Sequence, residues 1–153
     1  MTRTKINSTR LIGISLPNKT INKNAQSNID IGQLWQQFEA GNYFGKIPGK
    51  TGNSIYAVYH NYDGDYMDPF SYFIGCPVEP GTEVPSGLVE LTIAAGEFQK
   101  EVAKGPMPAC IGQAWQKIWE SEIPRAYKAD FEVYDERSAD WNDAEVDIFI
   151  SVK

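Results

Sequence analysis

The segment 130–135 contains the acidic residue whose surroundings most suggest a binding site. Strand alternation places Phe131 and Val133 on one face and Glu132 and Tyr134 on the other. A solvent-facing Glu is common at mid-strand, and that interpretation stays open. At the floor of an aromatic cleft, however, the carboxylate would remain ionised only beside a positive partner. Aromatic faces around a cation would each add attraction of about 0.5–2 kcal/mol. The pattern therefore indicates a candidate site for a positively charged small molecule.

Aromatic side chains are abundant, with four Trp, eight Tyr and seven Phe in the chain. Core packing accounts for some of them, and Trp115, at the centre of a helical apolar stripe, is a candidate for that role. Trp119 lies one residue past the stripe, so we expect it at the edge of the helix–sheet contact. Tyr59 and Tyr134 are amphipathic rings on inner strands, suited to a wet cleft. The predicted ligand-binding residues are Glu132, Tyr134, Tyr59, Trp35, Trp115, Trp119, Tyr56 and Phe149.

Other motifs that could support catalysis or metal binding are incomplete. The segment 45–51 resembles a phosphate-binding loop, but Phe44 stands where that loop requires glycine, and a predicted strand follows. His60 is the only histidine, which leaves a catalytic relay or a two-histidine zinc site without a second partner. Cys110, near a predicted helix start, is interpreted as a small core residue. We predict no catalytic residue, no metal site and no cofactor.

The sequence contains an internal repeat. Residues 31–36 return as residues 111–116 at an offset of 80, with five of the six positions identical. Val58-Tyr59 recurs as Val133-Tyr134 at an offset of 75. Farther along the chain, the predicted strand residues 73–78 correspond to residues 147–152 at an offset of 74. Each similarity is short, but all three occur in the same order. They predict two β-α-β-β halves related by a pseudo-twofold axis.

Apolar residues with the spacing of a helix face begin at Ile31 and again at Ile111. The first helix is predicted to begin at an Asp30 N-cap and end at Gly41, and the second to run from about Pro108 to residue 123. Residues 18–28 and 45–53 are predicted loops. The predicted strands cover 9–16, 54–62, 72–78, 88–94, 98–103, 131–135 and 146–152. The expected fold is α+β: a largely antiparallel sheet with two helices on one face and a central ligand cleft.

Length and charge restrict the class of protein. The 153 residues suit one small-molecule-binding domain, with residues 1–8 as a polar N-terminal arm. The net charge is −6, and residues 51–153 alone carry −11, which disfavours direct binding to nucleic acid. No apolar run approaches the about 20 residues that span a bilayer. Two cysteines suit a reducing cytoplasm. We expect a cytoplasmic protein that binds neither membrane nor nucleic acid.

Several segments, in a fixed order over about residues 9–153, resemble the gyrase-inhibitor-like (GyrI-like) family, which includes effector domains of AraC- and MerR-type transcription regulators. They are Leu11-Ile12-Gly13, Tyr62-Asp63-Gly64-Asp65, Tyr72-Phe73-Ile74-Gly75, Ile93-Ala94-Ala95-Gly96-Glu97-Phe98, Phe131-Glu132-Val133-Tyr134 and Val146-Asp147-Ile148-Phe149-Ile150. The chain is most similar to stand-alone drug-binding members carried on integron gene cassettes.

The resemblance implies a central cleft between two β-α-β-β halves that binds hydrophobic cations, with Glu132 reaching the charge. The aromatic walls vary within the family. Regulators in the family carry a separate DNA-binding domain, which we do not expect here, so transcriptional control would require a partner regulator protein.

The main functional hypothesis is therefore non-catalytic binding of cationic, amphipathic aromatic compounds, as in multidrug-sensing effector domains. Some family members hydrolyse small electrophiles, so a hydrolase with Glu132 as general base is an alternative. A third is a protein-interaction or inhibitor module.

Overall fold

Residues 2–153, the part of the chain that the computed structural model describes, form eight β-strands and three α-helices. In chain order they are β1 (Thr2–Ile6), β2 (Thr9–Ser15), α1 (Gln26–Ala40), α2 (Tyr43–Lys46), β3 (Ile55–His60), β4 (Ser71–Pro77), β5 (Val89–Ile93), β6 (Gly96–Gly105), α3 (Ala109–Glu120), β7 (Ala129–Tyr134) and β8 (Ala144–Ser151). A 3-10 turn, Glu136–Ser138, lies between β7 and β8. The α+β class predicted from the sequence is confirmed.

The strands form one sheet in the order β1-β6-β8-β7-β3-β4-β2-β5, and every neighbouring pair is antiparallel. The segment β2-α1-β3-β4 supplies one side of the sheet, and β6-α3-β7-β8 supplies the other. The two sides meet at the β3–β7 pair, where Ala57 lies opposite Glu132. The inner strands thus carry the predicted acid to the middle of the sheet.

The two long helices cover one face of the sheet. Leu34 of α1 packs in a cluster with Ile14 of β2, while Ile118 of α3 packs with Ile148 of β8. The ring of Tyr59 borders both clusters. The helices therefore stand side by side over the same face, with the inner strands between them.

The opposite face buries a separate cluster because successive strand residues point to opposite sides. Phe131 and Phe73 lie at its centre. Ile6 from β1 and Leu91 from β5 pack against it, although those strands form the two edges of the sheet. The sheet therefore curls into a half-barrel around this cluster.

The helix boundaries differ from those predicted. Helix α1 begins at Gln26, four residues before the predicted cap at Asp30, because Ala25 (φ 59°) already closes the preceding turn. Gly41 ends the helix, as predicted. Helix α3 ends at Glu120, three residues earlier than predicted.

The sequence patterns do not predict α2 and β1. Helix α2 is a single turn in a region partly expected as loop, and the Ile47 side chain that follows it is buried in the α1 cluster. The described residues therefore contain three helices where two are predicted. Strand β1 lies within the segment expected as a polar arm, where Thr4 is opposite Phe98 of β6.

Helices long and apolar enough to cross a membrane are absent from residues 2–153.

Candidate functional site

A cavity of about 1100 Å³ lies between α1 and α3, above the inner strands β3 and β7. The two helices contribute matching residues to its walls, and the strands contribute its floor. Six of the eight predicted ligand-binding residues line it: Glu132, Tyr134, Tyr59, Trp35, Trp115 and Trp119. The strand alternation of β7 explains the floor, because Glu132 and Tyr134 face the helices while Phe131 and Val133 face the half-barrel cluster.

Glu132 is held by three neutral donors. Its Oε2 accepts hydrogen bonds from the Trp115 indole Nε1 at 2.6 Å and from the Tyr59 hydroxyl at 2.8 Å. Its Oε1 accepts one from the Tyr134 hydroxyl at 2.6 Å. Only 1% of the Glu132 surface is exposed. The acid therefore forms a buried floor, covered by aromatic rings, instead of projecting into the cavity.

The electrostatics of this group follow from its burial. Desolvation raises the pKa of Glu132, and the hydrogen bonds from Tyr134, Trp115 and Tyr59 partly offset that rise. Burial and the nearby carboxylate also raise the pKa of Tyr59 and of Tyr134 well above the ordinary phenol value. Both hydroxyls therefore stay protonated and keep donating to Glu132.

The tryptophans pack against the inner tyrosines. The Trp35 ring meets the Tyr134 ring edge to face at 4.9 Å between centroids, and the Trp115 ring meets the Tyr59 ring at 4.8 Å. The Trp35 indole also donates to the buried Tyr72 hydroxyl at 2.8 Å. These contacts hold the orientations of the Trp35 and Trp115 rings at the cavity wall.

The cavity edge contains aromatic residues that the sequence patterns do not predict. Tyr66, in the β3–β4 loop, stacks on Trp119 at 5.4 Å between ring centroids. Trp141, in the loop before β8, is 59% exposed and also lines the cavity. Trp119 is half-buried, in keeping with its predicted place at the edge of the helix–sheet contact.

The structure does not bring Tyr56 and Phe149 to the cavity. Both rings lie on the opposite face of the sheet, where each stacks on Phe131, at 5.1 Å and 4.9 Å between centroids. Their strand positions alternate with those of Tyr59 and Ile148, which face the helices. Their predicted place in the site is therefore corrected.

A buried ion pair at one end of the cavity is also absent from the sequence predictions. The Arg125 Nη2 donates to Asp130 Oδ2 at 2.7 Å, and the Tyr62 hydroxyl donates to the same oxygen at 2.6 Å. The Arg125 guanidinium also stacks over the Tyr127 ring at 4.3 Å. The Arg125 guanidinium is thus paired with Asp130, and Glu132 has no charged partner among residues 2–153.

Two other reactive residue types have no part in this site. Burial raises the pKa of the Cys110 thiol, which is the opposite of what a nucleophilic cysteine needs. His60 is half-buried, desolvation lowers its pKa, and it does not line the cavity.

Both the sequence and the fold of the chain match those of known proteins. A sequence family described as "Integron-associated effector binding protein", named Cass2, matches residues 4–152. The chain is also 25% identical over 124 residues to YobU of Bacillus subtilis (strain 168), which is named as a candidate transcriptional regulator. That match covers 79% of this chain and 76% of YobU.

Solved structures share the fold over almost the whole chain. The integron cassette protein VCH_CASS2, from the mobile metagenome of Vibrio cholerae, is 26% identical with a TM-score of 0.73, and the match covers 99% of this chain and 95% of that one. SAV2435, solved with bound tetraphenylphosphonium, is 17% identical with a TM-score of 0.78, and the match covers 99% and 93% of the two chains.

Proposed function

Because the chain belongs to the Cass2 family of integron-associated effector-binding proteins, we propose that its cavity binds hydrophobic, aromatic cations above Glu132. Ligand binding itself is the common function of effector-binding domains.

The observation that carries the proposal is the uncompensated charge of Glu132. Its three partners are neutral, and none of the ion pairs found among residues 2–153 includes it. A buried carboxylate in an aromatic cavity is costly unless a positive group balances it. An aromatic cation would supply that charge and would also gain cation–π contact with the surrounding rings.

One protein of the same fold supports this ligand class. SAV2435, which shares the fold, was solved with tetraphenylphosphonium, a hydrophobic aromatic cation. The acidic total charge of the chain, −6, also favours encounter with cations over anions.

Binding without catalysis fits the hydrogen bonds of Glu132 better than the hydrolase alternative. An ionised carboxylate has about four acceptor positions, and three of those on Glu132 are occupied. With 1% of its surface exposed, the residue has little room to hold a reacting water molecule. A general base must reach the proton that it removes.

We also infer that the cavity lies at the interface between two duplicated β-α-β-β halves. The offset of 75 that relates Tyr59 to Tyr134 also relates Ala57 to Glu132, and these last two residues lie opposite each other in the β3–β7 pair. A pseudo-twofold axis would therefore pass between Ala57 and Glu132, beneath the centre of the cavity.

The test compares a cation with a neutral molecule of the same shape. Isothermal titration of 1-ethylquinolinium and of 1-ethylnaphthalene should show that Glu132→Gln weakens binding of the cation about ten- to hundredfold. Such a loss corresponds to about 1.5–3 kcal/mol, the Coulomb attraction of two unit charges about 6–11 Å apart at an effective dielectric constant of about 20. Binding of the neutral molecule should be unchanged, because Gln preserves the size of the side chain. Equal losses for both molecules would mean that Glu132 maintains cavity shape and does not recognise charge.

A further inference from the structure

The cavity is built from two matching sets of residues. Positions on α1 recur on α3 at the offset of 80, and four such pairs line the cavity: Ile31 with Ile111, Gly32 with Gly112, Trp35 with Trp115, and Gln36 with Gln116. Each tryptophan packs on the tyrosine of the other half: Trp35 contacts Tyr134, and Trp115 contacts Tyr59. We define the first lobe as Ile31, Gly32, Trp35 and Tyr134, and the second lobe as Ile111, Gly112, Trp115 and Tyr59.

Glu132 is shared by the two lobes. Its Oε1 accepts from Tyr134 of the first lobe, and its Oε2 accepts from Tyr59 and Trp115 of the second. The residue opposite it in the sheet is Ala57, which has no charge. One buried carboxylate therefore serves both lobes. The other two acids that line the cavity lie outside the lobes: Glu39 is exposed, and Asp135 is paired with Arg137.

Each lobe keeps open space beside its helix. A Cβ atom added to Gly32 or to Gly112 would lie within 4 Å of no atom of residues 2–153 apart from its chain neighbours and its own helix backbone, and both glycines line the cavity. Glycine inside a helix costs about 1 kcal/mol relative to alanine. No close contact requires glycine at either position, and a side chain added there would lie at the wall of its lobe.

We propose that the ligand is a singly charged cation flanked by two aromatic groups, with one ring in each lobe and the charge between them. This inference rests on the proposed function and adds the shape of the ligand to it. A cation with one ring would fill one lobe and leave the other empty, and it could choose either lobe.

The experiment uses two permanent cations and two variants that each fill one lobe. The two-ring probe is bis(2-naphthylmethyl)dimethylammonium, and the one-ring probe is (2-naphthylmethyl)trimethylammonium. Gly32→Leu fills the first lobe and Gly112→Leu the second. Isothermal titration should show that each variant weakens the two-ring cation about tenfold, the factor that about 1.4 kcal/mol represents.

The one-ring cation should respond differently. Each single variant should weaken it no more than about twofold, because the other lobe stays open, and the double variant should weaken it about tenfold. Gly32→Ala and Gly112→Ala serve as controls for the change of helix propensity, and thermal melts verify that every variant folds. A two-ring cation that is weakened by only one of the two leucine variants would overturn the proposal.

Failure of the proposal can be separated from failure of the proposed function. If the lobe pattern holds but Glu132→Gln binds both cations as well as the parent protein does, the two-lobe shape stands and charge recognition fails. If Glu132→Gln weakens both cations but only one lobe responds to the leucine variants, charge recognition stands and the two-lobe proposal fails.

Discussion

Binding of a permanent cation should depend on pH through Glu132. Burial raises the pKa of its carboxyl group, and three hydrogen bonds offset this rise only in part. A cation bound above the site would favour the ionised form and lower the pKa again. The free protein would therefore keep a proton on Glu132 at pH values where the complex does not, and binding would release it.

The size of the effect follows from the depth of Glu132. We take about 6 Å as the distance between the two charges, because aromatic rings cover the carboxylate and keep a bound cation beyond contact with it. At an effective dielectric constant of about 20, two unit charges at that distance attract by about 2.8 kcal/mol. That energy equals about two pKa units between the free and bound protein. Affinity should rise about tenfold per pH unit below the pKa of free Glu132, and about a hundredfold in all.

The assay is isothermal titration of tetraphenylphosphonium, which has no titrating group, from pH 4.5 to 8 in buffers of different ionisation enthalpy. The difference between buffers counts the protons released, which should approach one within the window between the two pKa values. Glu132→Gln is the control and should bind weakly, with no pH dependence from this position. An affinity that does not change with pH and matches that of Glu132→Gln would refute the reasoning.

The raised pKa of Glu132 also affects the stability of the free protein. An acid whose pKa is raised by folding stabilises the fold below its unfolded pKa, near 4.5, and that contribution is lost as pH rises through the folded pKa. Relative to the parent protein, Glu132→Gln should therefore gain stability between pH 4.5 and 8. Urea unfolding at the two pH values measures this gain, and a constant difference between the proteins would contradict it.

Four further substitutions test the structure. Trp119→Ala should weaken binding of 1-ethylquinolinium with little change in melting temperature. Trp115 is buried, so Trp115→Ala should lower the free energy of unfolding in urea by about 3–5 kcal/mol. Arg125→Leu should cost about 3–5 kcal/mol in the same assay, because it leaves a buried carboxylate unpaired. Gly13→Ala should destabilise by at least about 1–3 kcal/mol, because its Cβ would lie 2.0 Å from the Ile74 carbonyl oxygen.

Matched controls decide each case. Arg3→Leu removes an exposed ion pair and should cost less than about 1 kcal/mol, so an equal cost at Arg125 would contradict the burial argument. Gly112→Ala meets open space and should be neutral or stabilising, so a similar loss there would contradict the close contact at Gly13. If Trp119→Ala proves costlier to stability than Trp115→Ala, the assignment of helix faces is wrong.

The centre of the site could be predicted because strand alternation is a local property. The segment 130–135 shows directly that Glu132 and Tyr134 share a face, and the structure places both on the cavity floor. The same rule excludes Tyr56, which lies three residues from Tyr59 and so on the opposite face. Phe149 alternates with Ile148 in the same way. Aromatic content alone suggested both residues, and the strand pattern contains the signal that excludes them.

The remaining errors concern contacts between distant parts of the chain. The first four residues of strand β1 are all polar, and the strand pairs with β6, about 95 residues away. The Arg125–Asp130 pair depends on Tyr62 and on Ser151, which donates its backbone N–H to Asp130 at 2.7 Å. These partners come from separate elements, so no spacing within one segment indicates them.

The order of the strands has a consequence for the folding kinetics of the protein. The central pair joins β3 to β7, about 75 residues apart, and β1 cannot find its neighbour until β6 has been synthesised. Proteins with such distant strand pairings fold slowly, because the entropy of closing long loops is lost before the stabilising contacts form. The cavity walls come from both sides of the central pair, so a ligand cannot assist before that pair has formed.

A ligand should therefore act on the unfolding rate and leave the folding rate nearly unchanged. At a free concentration 100 times its Kd, it would stabilise the native state by about 2.7 kcal/mol. That energy would appear almost entirely as slower unfolding, roughly a hundredfold, and hence as a longer lifetime of the native protein whenever ligand is present.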